Sequence, residues 1–354
     1  MSRKALYIVL LFIQQTAFAQ DPQFSQYYAA PLLLNPAMAG SGDCIRAGFN
    51  ARTQWVGLPG GAFNTGSMFV DMNMPDIRSG FGLMALYDQI GTPRMSSSEI
   101  SLFYSFLAPV NRNLNFRFGL QGTFASRGLD YSRLIFEDQF RGTTIVDPTT
   151  NDPARDHTNV NYGDVSAGLL IYGEDTYWLG FSAHHLTRPE QAFFLPESRL
   201  PIKYSVHGGY NFIHKNGSYQ KDNWVYIIPT FMYKRQAEFD QFDLGVYVIK
   251  SYLMAGVWYR GIPFKVDENI PNNDAISMQV GVQYEDFSII YSYDYTISRL
   301  HIRNTWGSHE ISLLYKFCMD WPRNKGKKPP KHVRKPSCPD FKRSKKHKWN
   351  SKGF

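Results

Sequence analysis

Histidine and serine side chains are the residues of this sequence that could support metal or nucleophilic chemistry. His184 and His185 are adjacent, and Asp156 and His157 lie earlier in the chain. Zinc needs three or four converging ligands, and the chain has neither an HExxH motif nor paired cysteines at metal-binding spacing. It also lacks a GxSxG nucleophile elbow and a phosphate-binding glycine loop. We therefore expect solvated loop histidines, no catalytic, metal-binding or cofactor-binding residues, no cofactor, and a protein that is not an enzyme.

Positive charge is concentrated at the C-terminal end of the chain. The whole chain has 38 Lys and Arg against 30 Asp and Glu, a formal net charge of +8. Residues 323–354 hold 13 of the basic residues and a single acid, Asp340, so the remainder of the chain is acidic. Prolines interrupt this tail and apolar residues are few. We predict that residues 319–354 are a basic C-terminal tail that is disordered when free.

The first nineteen residues have the pattern of a secretory signal peptide. Two basic residues precede nine apolar residues, 5–13, and a small-x-small cleavage site lies at 17–19. Nine apolar residues are too few to cross a bilayer core about 30 Å thick. We therefore expect a signal peptide at 1–19, cleavage before Gln20, and export of the remainder.

An exported basic tail does not meet nucleic acid in ordinary operation, so we exclude a nucleic-acid partner. Periplasmic proteins, peptidoglycan carboxylates and lipid phosphates remain as partners, and so does a solvated charge run that binds nothing. The candidate partner-binding residues of the tail are Lys327, Lys328, Lys331, Arg334, Lys335, Lys342, Arg343, Lys345 and Lys346.

From Cys44 onward, apolar and polar residues alternate with a period of two. Between 276 and 284, Ile, Met, Val, Val and Tyr alternate with Ser, Gln, Gly and Gln. Successive side chains of a strand face opposite sides, so each run has an apolar face and a polar face. About 14 such runs occur, most near the length of about 9–11 residues that a tilted membrane strand needs. We predict an all-β fold, a transmembrane antiparallel up-and-down β-barrel over residues 44–318.

The connections between these runs alternate in length. Long ones such as 125–163, 184–201 and 261–274 follow odd-numbered strands, and short ones such as 249–252 follow even-numbered strands. Outer-membrane barrels have short periplasmic turns and long extracellular loops, which places both termini in the periplasm when the strand number is even. The loop 125–163 is long enough to be either a plug inside the barrel or an outward docking surface, and the sequence leaves both open.

The segment before the barrel is rich in proline. Residues 20–43 include Pro22, Pro31 and Pro36, which interrupt helices and strand interiors alike. We predict an extended periplasmic lead-in with exposed aromatic and polar groups. Its candidate partner-binding residues are Gln23, Phe24, Gln26, Tyr27, Tyr28 and Asn35.

Three cysteines allow one intramolecular disulfide. Cys44 precedes the first predicted strand and Cys318 follows the last, so the two lie side by side if the barrel closes in register. The periplasm permits disulfides, and we predict a Cys44–Cys318 bond across the closing seam. A Cys318–Cys338 bond and three free thiols remain as alternatives.

Two stretches of the sequence resemble a known family. Residues 20–40 (QDPQFSQYYAAPLLLNPAMAG) resemble the opening of the PorP/SprF proteins of Bacteroidetes, and residues 307–317 (GSHEISLLYKF) resemble their closing strand. The resemblance implies an outer-membrane component of the type IX secretion system, and it does not cover the basic tail. It also implies as partners the periplasmic and outer-membrane components of that system and, for some members, secreted adhesins used in gliding.

These observations support one main function and one alternative. The chain is expected in the outer membrane, in contact with its lipid, as a non-enzymatic scaffold or adhesin-export partner of the type IX secretion and gliding-motility apparatus. The alternative is an outer-membrane porin for small solutes. An open lumen would favour the porin, whereas docking segments outside the strands favour the scaffold.

Overall fold

The structure is a computed structural model that describes residues 21–317 with gaps. The predicted signal peptide, Cys318, Cys338 and the basic tail lie outside the described residues. Predictions made for those parts therefore stay predictions. The gaps within 21–317 are residues 43, 59–60, 92–94, 112–113, 131–133, 135, 142–143, 146–149, 151–158, 174–175, 194–197, 216–223, 268–269, 285 and 299–301.

Fourteen strands, β1 to β14 in chain order, form one sheet. The eighth has two segments because its ladder is interrupted at Asn211. The strands are Ile45–Gln54, Phe63–Met74, Ser79–Ile90, Met95–Asn111, Leu114–Gly128, Asn159–Tyr172, Tyr177–His184, Lys203–Tyr210 with Phe212–Lys215, Trp224–Gln236, Phe239–Lys250, Leu253–Asp267, Ile270–Tyr284, Phe287–Thr296 and Ser308–Phe317.

The sheet closes on itself. Each strand pairs antiparallel with its neighbours in the chain, and β8 joins β7 to β9. The first strand pairs with the last, from Ile45 opposite Phe317 to Gln54 opposite Ser308. The prediction of a closed antiparallel barrel of about 14 strands is confirmed.

Short helical turns and one small hairpin complete the secondary structure. No helix in the described part of the chain is long and apolar enough to cross a membrane. The α-helical turns are Pro31–Leu34 and Ile302–Thr305, the 3-10 turns are Pro36–Met38, Pro75–Ile77 and Glu137–Gln139, and the hairpin pairs Phe140–Arg141 with Thr144–Ile145.

The two faces of the sheet differ as the alternation predicts. On β4, Ile100 and Leu102 are 58% and 66% exposed, whereas their neighbours Ser101 and Phe103 are buried. Exposed apolar side chains occur on every strand, which is the surface that a membrane barrel presents to lipid. The inward face is mostly polar and carries several buried charges.

The two ends of the barrel differ in the length of their connections. We call the end with the turns 75–78 and 251–252 the short-turn end, and the end with 129–158 and 185–202 the long-loop end.

The alternation of apolar and polar residues also predicts connections at 235–240 and 261–274 after odd-numbered strands, and both are wrong. β9 continues to Gln236 and β11 to Asp267, and the next strands begin at Phe239 and Ile270, so each connection has only two residues. On β11 the register shifts at Arg260/Gly261 and again at Ile262/Val266. These shifts interrupt the alternation of apolar and polar residues, so the sequence pattern does not reveal the second half of this strand.

The segment 21–42, here called the luminal segment, lies inside the barrel. It runs from Asp21, beside Lys203 at the long-loop end, to Gly40, beside Asp71 at the short-turn end. Residues 24–32 and 34–41 are all buried. The prediction that this segment exposes its aromatic and polar groups in the periplasm is wrong. Its prolines exclude a regular strand, as expected. Inside the barrel, side chains of the wall can form the hydrogen bonds that its irregular backbone needs.

Cys44 is disulfide-bonded, and both other cysteines lie outside the described residues. Because Ile45 pairs with Phe317, we predict Cys318 as its partner. Such a bond closes a very long loop and contributes about 4–5 kcal/mol in the chain-entropy treatment. Non-reducing peptide mapping should recover a 44-containing peptide linked to a 318-containing peptide. The variant Cys338→Ser should keep that link, whereas a 44–338 peptide would contradict the prediction.

Candidate functional site

The long-loop end of the luminal segment is held by charge. Lys203 Nζ is 2.5 Å and His185 Nε2 is 2.8 Å from the Asp21 carboxylate. Burial alone would raise the pKa of Asp21, but Lys203 and His185 lower it well below its usual value. Burial would lower the pKa of His185, but Asp21 and Asp164 raise it to about 9. His185 is therefore protonated at neutral pH and bridges Asp21 to Asp164, which lies 2.8 Å from Nδ1.

In the middle of the lumen, one carboxylate holds two backbone amides. Glu310 on β14 accepts hydrogen bonds from the N–H groups of Ser25, at 2.7 Å, and Gln26, at 2.9 Å. Gln279 donates to the Ser25 carbonyl oxygen at 3.1 Å. The Gln26 side chain donates to Ser292 Oγ at 3.0 Å and to the Glu310 carbonyl oxygen at 3.2 Å. The barrel wall thus contacts this part of the segment through both its backbone and its side chains.

The same carboxylate belongs to a buried ion cluster. Arg52 on β1 lies 3.0 Å from Glu310 and 2.8 Å from Asp294. Arg260 lies 3.4 Å from Asp294 and 3.3 Å from Asp243. Each of these charges sits on the inward face of its strand and is almost fully buried, a position that requires an opposite charge.

Aromatic rings pack next to this cluster. Tyr27 lies edge-on to Trp258, with ring centroids 4.9 Å apart. Tyr28 lies edge-on to Trp178 at 5.6 Å, and the Trp178 N–H donates to the Tyr28 hydroxyl at 3.1 Å. Tyr247 contacts both Tyr28 and Trp258. These rings are buried against one another in the lumen.

Asn35 fixes the next part of the segment. Its Nδ2 donates to the carbonyl oxygens of Leu169, at 3.2 Å, and Phe181, at 3.1 Å. Its Oδ1 accepts from the Ala37 N–H at 2.9 Å and starts the turn Pro36–Met38. These bonds fasten the segment to β6 and β7.

Glycines in the wall make room for this turn. A Cβ added to Gly119 would collide with the backbone of Pro36 and Ala37, and one added to Gly168 would collide with Asn35. On the lipid-facing side of the same two strands, Gly122 and Gly163 have nothing within 4 Å of such a Cβ. The inward glycines are therefore needed for close approach of the luminal segment.

The short-turn end is fixed by a second ion pair. Asp71 accepts from the Gly40 N–H at 2.6 Å and pairs with Arg46 at 2.6 Å. Arg46 also donates to the Met38 carbonyl oxygen at 3.1 Å. Gly40 adopts a φ of 59°, which favours glycine, and its Cα packs against the wall.

The predicted partner-binding residues of the lead-in lie inside the barrel. All of them except Gln23 are buried, so the exposure on which that prediction rested is wrong. Their binding to another protein stays untested. The buried members of the predicted set are Phe24, Gln26, Tyr27, Tyr28 and Asn35.

The expectation of solvated histidines is wrong for His184 and His185. His184 is buried at the end of β7, and His185 forms the ion pairs with Asp21 and Asp164. His157 and Asp156 lie outside the described residues. Within the described ranges, no three His, Cys, Asp or Glu side chains converge in a way that could hold a metal ion.

Sequence reasoning missed the charged residues that hold the segment. A signal was present: in a barrel, a charge on the inward polar face of a strand needs a partner, most simply on the neighbouring strand, as for Arg52 and Glu310. The residues that this rule would have selected are Arg52, Asp71, Asp164, Arg260, Asp294 and Glu310.

The glycine contacts predict a matched pair of mutants on β5. Gly119→Ala should lower the free energy of unfolding by about 1–3 kcal/mol, because the new methyl group forces the luminal segment away from the wall. Gly122 faces open space on the same strand, so Gly122→Ala should change the free energy of unfolding by less than about 0.5 kcal/mol. Denaturant unfolding of both purified proteins in detergent measures the difference. Equal losses of unfolding free energy in the two mutants would contradict a requirement for glycine at 119 to let the luminal segment approach β5.

The charge pattern at Asp21 predicts a dependence on pH. The folded pKa of His185, about 9, exceeds its unfolded value near 6.5. Its stabilising contribution is therefore complete below about pH 6.5 and is lost as the pH rises through about 9. Asp21 behaves oppositely, because its lowered pKa makes its contribution disappear only in acid.

Thermal unfolding between about pH 6 and pH 10 tests this dependence. The wild type should lose more stability than His185→Gln over that range, so the two curves should converge at high pH. Parallel curves would contradict a charged His185. Arg188→Gln, an exposed change in the same loop, serves as the control and should follow the wild type.

Several solved structures are similar to this chain at low sequence identity. A FadL homologue of Pseudomonas aeruginosa is 14% identical with a TM-score of 0.39, and the match covers 80% of this chain and 93% of that one. The toluene transporter TodX of P. putida is 10% identical with a TM-score of 0.42, covering 81% and 94%. CymD, a monoaromatic hydrocarbon channel, is 13% identical with a TM-score of 0.37, covering 83% and 94%.

The family comparison covers most of the barrel and the luminal segment. No curated protein sequence matches the chain. The family model described as type IX secretion system membrane protein PorP/SprF matches residues 16–315, which include β1 to β13, most of β14 and the luminal segment. The chain is therefore a member of the PorP/SprF family of type IX secretion system membrane proteins.

Proposed function

We propose that this protein is a non-enzymatic outer-membrane component of the type IX secretion and gliding-motility apparatus, acting as a scaffold or adhesin-export partner. Its partners are other components of that apparatus and a secreted adhesin. Family membership supports the assignment to the secretion system. The belt of exposed apolar side chains on all fourteen strands supports contact with membrane lipid.

The filled lumen is the observation that favours a scaffold over a porin. A porin conducts through a water-filled interior. Here Leu32, Asn35 and Ala37, in the middle of the luminal segment, are completely buried against the wall. The ion cluster and the aromatic rings close the lumen on the long-loop side of these residues. A barrel so filled offers its two ends, rather than its interior, to other molecules.

The orientation follows from the strand number. With fourteen strands, the start of β1 and the end of β14 lie on one side, which is the periplasmic side in outer-membrane barrels. The expectation that the N-terminal end also lies there is wrong for Asp21, which the luminal segment carries to the long-loop end. The long loops then face the cell surface, where an adhesin is presented. The tail 319–354 faces the periplasmic components, and its positive charge suits it to dock on acidic surfaces.

Affinity purification from the native outer membrane tests this function. The full chain should retain components of the secretion system, and deletion of 323–354 should leave the barrel inserted but weaken that retention. The difference between the full chain and the deletion should shrink at high salt, because charge attraction that reaches about 8 Å at physiological ionic strength is screened further as salt is added. Replacing residues 323–354 by a neutral linker of equal length should weaken retention as the deletion does, if the charge of the tail rather than its length is responsible.

A planar-bilayer measurement separates the scaffold from the porin. The purified full chain should give no stable ohmic conductance. Large, stable channels together with no retained secretion component would overturn the proposal in favour of the porin.

A further inference from the structure

We propose that a cavity at the long-loop end of the lumen binds a small zwitterion, a free α-amino acid such as glycine or alanine. Arg127 holds the carboxylate of this ligand, and Glu99 and Asp88 hold its ammonium group. The charges that line the cavity support this site, and the site is independent of a role in secretion.

The cavity lies beside the long-loop end of the luminal segment. Asp21 and Pro22 contribute to its lining, together with inward side chains of β3, β4, β5 and β6. Its volume is about 50 Å³. That is room for roughly three to five water molecules, each of which needs about 10–15 Å³. A ligand that fits this cavity is therefore small.

Three charged side chains of the wall line this cavity without an ion pair. Asp88 lies on β3, Glu99 on β4 and Arg127 on β5. None of the three forms an ion pair with another described residue, whereas Asp21 and His185, which also line the cavity, are paired. A charge that is withdrawn from bulk water normally has an opposite charge beside it. Charges of both signs are therefore available to a ligand.

The strand register places these groups next to one another on the inward face. Ser97 lies opposite Asp88 on β3 and opposite Arg127 on β5, and Glu99 is the next inward residue along β4. Diagonal neighbours in an antiparallel sheet are about 7–8 Å apart, a separation that long side chains can span. Glu99 and Arg127 are thus long enough to reach each other, yet they do not pair. A ligand that carries both charges bridges the gap between them.

The present contacts of the two long side chains use little of their hydrogen-bonding capacity. Glu99 accepts a long hydrogen bond from Ser97 Oγ, at 3.4 Å. Arg127 donates to Gln191 Oε1 at 2.5 Å and to the Met95 sulfur at 3.3 Å, both of which are neutral acceptors. A guanidinium group carries several N–H donors in a planar fork that matches a carboxylate. Arg127 can therefore take the carboxylate of a ligand in addition to its present contacts.

A zwitterion matches this arrangement better than a simple ion does. An ammonium group donates to the carboxylates of Glu99 and Asp88, while Arg127 donates to the carboxylate of the same ligand. A simple cation would leave Arg127 without an opposite charge, and a simple anion would leave both carboxylates without one, which costs free energy in either case. The cavity also has an apolar part that suits a short aliphatic side chain, lined by Ile90, Met95 and Leu200.

Ligand-observed NMR on the purified full chain in detergent tests the proposal. Aromatic protein signals are saturated, and the transfer of saturation to glycine or alanine during a titration gives the dissociation constant. Methylamine and acetate each carry only one of the two charges and serve as controls. Glycine and alanine should bind at least about tenfold more tightly than either control, because each control leaves a charge of the wall unpaired.

Two charge-neutralising variants test the residues. Arg127→Gln and Glu99→Gln should each weaken glycine binding at least about tenfold, whereas Arg188→Gln, an exposed change at the same end, should leave it unchanged. Unchanged binding in the first two variants would overturn the site.

The unaltered chain also provides outcomes that contradict the proposal, so the test holds even where a variant fails to fold. No binding of glycine or alanine would overturn the proposal and leave a cavity that holds only water. Equal binding of methylamine would replace the zwitterion site with a cation site, and equal binding of acetate would replace it with an anion site.

Discussion

The ion pair between Arg52 on β1 and Glu310 on β14 joins the first and last strands from inside the lumen, at 3.0 Å. Transferring both groups from water is costly, and the cost is offset only where their remaining hydrogen-bonding capacity is filled. Asp294 supplies a second acceptor for Arg52, and the luminal segment supplies two backbone N–H donors to Glu310. Closure of the barrel and placement of the luminal segment therefore depend on the same few groups.

The strands and their closure could be predicted because they follow from a local pattern. Inward and outward residues alternate along a strand, and one face meets lipid, so the sequence shows the period directly. The pattern failed where the ladder is irregular, as after Arg260 on β11, because a register shift changes which residues face outward. The disulfide at Cys44 was suggested by its place before the first strand, which is also a local property.

The position of the luminal segment could not be predicted in the same way. Its prolines indicate only that it is neither helix nor strand, and such a stretch can lie in solvent or inside a cavity of matching shape. The deciding features are far away in the sequence: the inward glycines at 119 and 168, and the charges on β1, β11, β13 and β14. Within its own strand, none of these residues differs from other inward-facing glycines or charges. Their contacts with the luminal segment exist only once the fourteen strands surround a common interior.

Because the barrel is filled by a segment of its own chain, the two ends of its interior are held differently. The luminal segment is covalently continuous with β1 at one end, and at the other it ends on an ion pair that retains contact with solvent. Both halves combine apolar packing with bonds to backbone groups: Tyr27 and Tyr28 belong to the larger apolar cluster, and Asp71 accepts from the Gly40 N–H as Glu310 does from Ser25. The luminal segment therefore joins the short-turn end, where β1 begins, to the long-loop end through contacts along its whole length.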